Sequence, residues 1–434
     1  MNKSRGTIPP VIILLAGENS RFWPLGQARH KALYEVGLGK PILEYVLDAC
    51  VKVGVREVVL VRRPVDSSLD EFISAKAFPF TIFTVVQPES RGMADAVLCG
   101  ISAIPGKDLF VIDGNQIYFP YFAGKVLAQL RSPNTLGGAV SVRKTETPER
   151  YGIAFSRDDD LLWEVVEKPT HLSGIQRRIV ASYFFRSDFV PILSRYRGQQ
   201  ADGFEAALSD YAKLYPVLII PAEPDAQEIT LKYPWDLFSL HGALVKQELS
   251  EGNLVIHPDA SVHPTAILEP PVFVGQGAKI MGLATVKNHC VIGPGAVVGS
   301  YSLVRDFSLL GEGVMVGAHS EVTRSLLYAG SSLHRNFVGD SILDRGVHFG
   351  AGTVTANRRH DRKIIKSTAK EGRISTGKTS LGAIVGEEAR LGINCSLRPG
   401  VKIGSRAVIY EGVAVISDVE NRTHWREDGT KCRP

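Results

Sequence analysis

The 434-residue sequence has no Cys-x-x-Cys pair; its five cysteines (Cys50, Cys99, Cys290, Cys395 and Cys432) are scattered along the chain. That distribution argues against a disulfide framework and a zinc site, and for reduced thiols in a cytoplasmic setting. No apolar run approaches the roughly 20 residues a membrane span requires, so no membrane helix is expected. Lys3 and Arg5 precede a short apolar run at 11–15, but that run leads straight into Glu18, Asn19 and Arg21 and reads as a buried strand, not a secretory signal. Charge of one sign is also lacking: the formal net charge is only +5, which does not point to nucleic acid as a partner. What remains, 44% hydrophobic and 22% charged residues, is the composition of a globular protein long enough for two or more domains.

Two rhythms divide the chain near residue 251. Before it, short apolar runs at 11–15, 57–61, 81–86, 109–112 and 138–142 alternate with amphipathic stretches at 42–53 and 94–104. This alternation predicts βαβ units and a mostly parallel sheet, with ligands at the carboxyl ends of the strands. From 252 to 434 the period becomes six. Ile256, Val262, Leu268 and Val274 open an aliphatic ladder that continues unbroken to Val322, with small residues such as Ala260, Ala266 and Ala278 four places after the rungs. Such hexapeptides predict a parallel β-helix, the aliphatic rung pointing into a narrow prism. A second ladder runs from Val385 to Val415, out of phase with the first. A basic insertion at about 355–380 is the expected cause, extending as an excursion on one face. The polar segment 421–434 reads as a solvated tail or a coenzyme-side contact.

The stretch from His334 to Gly404, with its GAGTVTAN segment, resembles the acetyltransferase half of bifunctional sugar-1-phosphate nucleotidylyltransferase/acetyltransferases, most closely the archaeal type. The resemblance implies a left-handed β-helix and a homotrimer that binds acetyl-CoA between subunits. It makes His334 the general base, and the chemistry needs one: an ammonium cannot attack a thioester until it loses a proton. By the same resemblance Asn357 contacts acetyl-CoA or the acceptor, Lys363 and Lys366 neutralise phosphate, and Arg305 and Arg324 bind the acceptor. Phe337 stands where the family often has tyrosine, so one hydroxyl contact is lost.

The segment LLAGENSRFWPLGQARHKAL resembles the signature of Rossmann-like α/β sugar-1-phosphate nucleotidyltransferases, with Gly17, Arg21, Pro24, Leu25 and Lys31 matching. Such a loop cradles a triphosphate on backbone amides. Asn19 replaces the usual second glycine but tolerates the left-handed conformation. Further along, Gln87 and Gly92 match the nucleobase segment, and Gly152, Glu167 and Lys168 match the sugar-phosphate pocket. The family holds Mg²⁺ with two carboxylates. Here the first falls on Asn115, after Gly114, and the second on Thr230; Ile179 replaces a sugar-contacting asparagine. Asp113 and Glu228, each two residues earlier, share a strand face with those positions and are the alternative ligands.

The expected function is therefore acetyl-CoA-dependent N-acetylation of an amino-sugar 1-phosphate, glucosamine- or galactosamine-1-phosphate, fused to a nucleotidyltransferase domain with a degenerate metal site. Two alternatives stay open: a fully bifunctional enzyme that also makes a UDP- or dTDP-sugar from NTP, sugar 1-phosphate and Mg²⁺, and a regulatory or scaffold subunit. Asn115 and Thr230 separate the first two, and the retained His334, Asn357, Lys363 and Lys366 argue against the third.

Overall fold

The computed structural model describes residues 8–130, 136–158, 160–172, 174–198, 202–223, 230–370 and 372–433. It forms two compact units: one of Met1–Glu18 with Ile42–Glu228, the other of Asn19–Pro41 with Ile229–Pro434. The second therefore takes segments 19–41 and 229–251, which the change of rhythm near 251 assigns to the first.

In the first unit a nine-stranded sheet runs in the order Thr81–Val86, Glu57–Arg62, Val11–Leu14, Leu109–Asp113, Gln176–Phe185, Gly138–Thr145, Val217–Pro221, Leu161–Glu167 and Gly152–Asp158. The first four are parallel, as the alternation predicts. Gln176–Phe185, with no counterpart among the expected strands, inserts antiparallel between Leu109–Asp113 and Gly138–Thr145. Val11, Ile12 and Ile13 are fully buried, which is why this strand reads as a continuous apolar run. Helix Met93–Ile101 lies close on the sheet because residue 100 is glycine: a Cβ there would sit 2.8 Å from Ile12 Cγ2 and 3.0 Å from Val61 Cγ2.

The second unit is a β-helix whose three sheets contain, among the described residues, eight, ten and eight strands, all parallel except Lys431–Cys432, the antiparallel last strand of the ten. Most successive coils are 18 residues apart, as in Val272↔Cys290 and Lys279↔Val297. The rungs from Val272 and Val274 onward fill the prism, whereas Ile256 is 40% exposed because it lies in the first coil, with no coil beyond it. At the other end Trp425 closes the core. His424–Trp425 pairs with Lys431–Cys432, and the Lys431 ammonium lies 3.6 Å from the Trp425 ring centre, so the segment expected as a solvated tail folds back as a hairpin on Trp425, with residues 426–433 exposed.

The phase break between the ladders does not come from the insertion. Thr355 and Val385, which flank it, are both rungs, and their separation of 30 residues is a whole multiple of six. Three turns instead lack one residue. The rungs step by five, not six, from Val322 to Leu327, Leu333 to Val338 and Val338 to Leu343. Those turns contain Arg324, His334 and Asp340, and both Arg324 (φ 46°) and Asp340 (φ 48°) adopt the left-handed conformation.

Segment 19–41 belongs to the second unit through a buried ionic cluster. Arg29 donates to Asp344 (3.1 Å) and Glu35 (2.7 Å), its guanidinium 3.8 Å from the Tyr34 ring centre and 4.8 Å from that of Tyr328. The Tyr34 hydroxyl donates to the other Asp344 oxygen at 2.6 Å. On the exposed side Glu35 also accepts from Arg345 at 2.7 Å. Removing the Asp344 charge leaves the buried Arg29 with Glu35 alone and takes the carboxylate acceptor from the buried Tyr34 hydroxyl. Asp344→Asn is therefore expected to destabilise this unit by about 3–5 kcal/mol. Breaking the more exposed half with Arg345→Met should cost about 1 kcal/mol or less. Denaturant unfolding of both variants checks this, and equal losses would show that Asp344 is not the anchor.

Candidate active sites

On the second unit, Arg305, Arg324, Phe337 and Asn357 converge at one edge of the third sheet. Arg324 grips Asp340 with two hydrogen bonds, Nε to Oδ1 at 2.7 Å and Nη2 to Oδ2 at 2.9 Å, and reaches Asp306 at 3.4 Å. Arg305 pairs with Glu321 at 2.7 Å and also bonds Asp306. The Asn357 amide donates to Asp340 Oδ2 at 2.6 Å. Gly339 makes room for the group: a Cβ there would lie 2.8 Å from Asn357 Nδ2 and 2.9 Å from Phe337 Cζ. Carboxylates thus fix both arginines and the amide before any ligand arrives.

His334 opens the short turn that ends at Phe337, and its ring is exposed. Asn336, which the sequence reading missed, sets this turn. Its Oδ1 accepts from the backbone amides of His334 (2.7 Å) and Arg335 (3.1 Å), while its Nδ2 donates to the carbonyls of Gly350 (2.8 Å) and Thr353 (2.9 Å). A six-residue template gives no signal for it, because the turn is one residue short. Gly317 supports the turn from the coil before, where a Cβ would meet the His334 carbonyl oxygen at 2.3 Å. Beside the turn lies a cleft of about 440 Å³, lined by Phe337, Asn336, Arg335 and Glu321 and by Tyr301 stacked on His319 at 4.9 Å.

Lys363 and Lys366 stand exposed on the insertion, which returns as a hairpin of Lys366–Ala369 and Gly372–Ser375. The returning chain is tied back to the site, Leu381 N donating to the Asn357 carbonyl at 2.9 Å and Gly382 N to that of Asp340 at 2.8 Å.

The residues expected to bind nucleotide and sugar phosphate divide between the units. Gly17, Gln87, Gly92, Gly114, Gly152, Glu167 and Lys168 lie in the first, and Arg21 and Lys31 in the second. In the first unit the buried Gln87 amide donates to Asp95 (2.9 Å) and to the Gly92 carbonyl (3.2 Å). Lys168, at φ 47°, pairs with Glu167 at 2.6 Å. Gly152 keeps space open, since a Cβ there would lie 3.0 Å from Glu167 Oε2 and 3.8 Å from Glu205 Cγ.

Glu205 is a second residue that sequence reasoning missed. Burial pushes its carboxyl up to about 7, the nearby Glu167 and Asp202 adding to the effect, and its buried Oε2 has no hydrogen-bond partner among the described residues. Asp113 ends its strand; burial holds the Tyr183 hydroxyl well above its usual range, and Glu205, Asp113 and Glu167 add to the effect.

Of the expected metal positions, Thr230 is occupied otherwise. Its side chain bonds the Asp236 carboxylate, which also accepts from the backbone amides of Lys232 (2.7 Å) and Tyr233 (3.0 Å) at the start of helix Asp236–Glu248. Glu228 lies outside the described residues. Among the described residues no group of three His, Cys, Asp or Glu side chains could hold a metal ion, and no helix is long and apolar enough to cross a membrane.

Comparison with known proteins matches both units. The nucleotidyl transferase family profile matches residues 10–216, and the GMPPB C-terminal domain profile residues 250–359. A bifunctional sugar-1-phosphate nucleotidylyltransferase/acetyltransferase of Sulfurisphaera tokodaii is 29% identical over 94% of this chain and 97% of its own. The bifunctional protein GlmU of Methanococcus maripaludis strain C7 is 30% identical over 95% of this chain and 96% of its own. With similarity running end to end through both units, the chain belongs to the family of bifunctional sugar-1-phosphate nucleotidylyltransferase/acetyltransferases.

Proposed function

We propose that the β-helical unit transfers the acetyl group of acetyl-CoA to the amine of an amino-sugar 1-phosphate, glucosamine- or galactosamine-1-phosphate. The observation that carries this is an exposed imidazole, His334, on a turn that Asn336 pins at the entry of strand Phe337–Gly339, with a pre-organised network of Asn357 and Arg324 held by Asp340 at that strand's other end and Arg305 held by Glu321. Arg305, Arg324, Lys363 and Lys366 supply cations for a phosphate. The amine nitrogen attacks the thioester carbonyl carbon as His334 takes its proton. The tetrahedral intermediate then collapses, the C–S bond breaks, and CoA leaves as the thiolate to be protonated. Asn357, oriented by Asp340, positions acetyl-CoA or the acceptor. Phe337 offers an apolar face where a tyrosine would add a hydroxyl.

The active assembly is a homotrimer, with coenzyme bound between copies. Exposed apolar side chains recur along the edge of the helix that carries His334: Met281, Leu283, Tyr301 and Ile393. Such a patch on successive coils is suited to burial against a second copy.

The first unit keeps the nucleotidyltransferase fold without a competent Mg²⁺ site. A divalent ion would sit at the end of strand Leu109–Asp113, but Asn115 supplies no charge there. The described residues do not fit the ion. Asp113 favours the fully bifunctional alternative, since it stands at that strand end within electrostatic reach of Tyr183, as do Glu167 and Glu205.

Release of free CoA from acetyl-CoA and either amino-sugar 1-phosphate tests the first proposal. His334→Gln is expected to lower turnover by about 10²–10⁴-fold. Asn336→Ala, which touches no reacting atom, should lower kcat by up to about 10²-fold by displacing the imidazole. Undiminished turnover in His334→Gln would remove the general base. For the first unit, pyrophosphate release from UTP or dTTP with a sugar 1-phosphate should fall far below the roughly 10 s⁻¹ of a typical enzyme. Asn115→Asp should raise it at least tenfold, whereas a wild type already at ordinary rates would mean an intact metal site. Light scattering should give about three times the 47.3 kDa of one chain; a single-chain mass would exclude the trimer.

A further inference from the structure

Two lysines of the second unit are drawn in from the surface to different degrees, and they are not alike. Lys402 is fully buried, yet its ammonium donates to the Trp23 carbonyl at 2.6 Å and lies 5.7 and 5.4 Å from the Trp23 and Trp235 ring centres. Burial lowers that amine to about 8, but the group is satisfied. Lys378, half-buried on the returning leg of the insertion, is not. Its Nζ lies 5.7 Å from the Phe238 ring centre, and among the described residues no oxygen comes within bonding distance of it.

The backbone holds Lys378 where it is. Its carbonyl accepts from Ile365 N at 2.8 Å and its own N–H donates to Thr376 Oγ1 at 3.2 Å, while the Thr376 hydroxyl donates to the Ile365 carbonyl at 2.7 Å. This places it beside the residue preceding Lys366, on the same leg whose Leu381 and Gly382 bond the backbone of Asn357 and Asp340. Asp236 and Asp340 are within electrostatic range of the amine, and burial depresses it despite them. Both carboxylates already have partners, Asp340 in Arg324 and Asn357 and Asp236 in backbone amides and Thr230. An ammonium with three donors, held in this way with no protein acceptor among the described residues, leaves its donors to solvent or to a ligand.

We infer that Lys378 is an anion-binding residue of the acceptor site, completed by the phosphate of the amino-sugar 1-phosphate; this rests on the acetyl-transfer function proposed above. An oxyanion supplies the acceptor atoms that the neighbouring carboxylates cannot, and it brings negative charge to a leg that already carries Lys363 and Lys366.

Calorimetric titration of the full-length chain with inorganic phosphate, glucosamine 1-phosphate and glucosamine tests this. Lys378→Met is expected to weaken binding of the two phosphates at least tenfold, to leave glucosamine unchanged and to be largely rescued by Lys378→Arg. Phosphate binding equal to wild type in Lys378→Met would overturn the inference. So would a uniform loss for all three probes with a lowered thermal midpoint, because that is the signature of a spacer packed on Phe238; a wild type that binds neither phosphate would do the same. Lys378-dependent phosphate binding without any CoA release would sustain the anion site and refute the acetyl-transfer function alone.

Discussion

The narrow interior of the β-helix is the constraint on which the second unit depends. Each face of the prism admits one aliphatic side chain per six residues, and neighbouring coils stack closely enough that glycine is required where carbonyls approach, as at Gly317 beneath His334. A regular prism of this kind offers little to chemistry, because every turn repeats the one before. Irregularity supplies the site. The three turns that lose a residue contain Arg324, His334 and Asp340, and the long excursion leaves between the coil that ends at Asn357 and the next. Aliphatic rungs hold the frame rigid on both sides, so shortened turns can present polar groups at fixed positions without loosening the core.

Charge in this protein is organised by pairing, and groups left out of pairs stand apart. Arg29, Arg305 and Arg324 each face carboxylates at hydrogen-bonding distance, so their side chains are oriented in advance. Asp340 joins Arg324 to Asn357 and makes the arginine and the amide one structural object. Against that background, among the described residues, the Glu205 carboxyl, with a buried oxygen that has no hydrogen-bond partner, and the half-buried Lys378 ammonium, with no protein acceptor, stand out. Buried polar groups are ordinarily satisfied, so exceptions mark places where a ligand has something to complete.

Much of the architecture was legible in the sequence. The ladder from Ile256 to Val322 states the prism directly, because a one-dimensional repeat of inward-pointing residues is a local steric rule. The apolar runs at 11–15, 57–61 and 109–112 were legible for the same reason, each being a strand buried on both faces, whereas the run at 81–86 is a partly exposed edge strand. His334, Phe337, Asn357 and the two arginines could be picked out by resemblance, and the fold places Phe337, Asn357 and both arginines in one network. Asn336 and Lys378 could not be, because their roles come from hydrogen bonds to other coils or from the absence of any.

By itself, then, the sequence determined two rhythms, two kinds of fold and the residue types at the candidate site, since periodicity and turn chemistry act over a few neighbouring residues. Tertiary structure alone decided that the phase of the ladder breaks at three short turns and not at the insertion. It also decided that segment 19–41 joins the helical unit through Arg29 and Asp344, 315 positions apart, and that Thr230 serves Asp236. These depend on which coil lies over which and on which carboxylate is already engaged. Such facts arise only when residues far apart in the chain compete for the same hydrogen bonds.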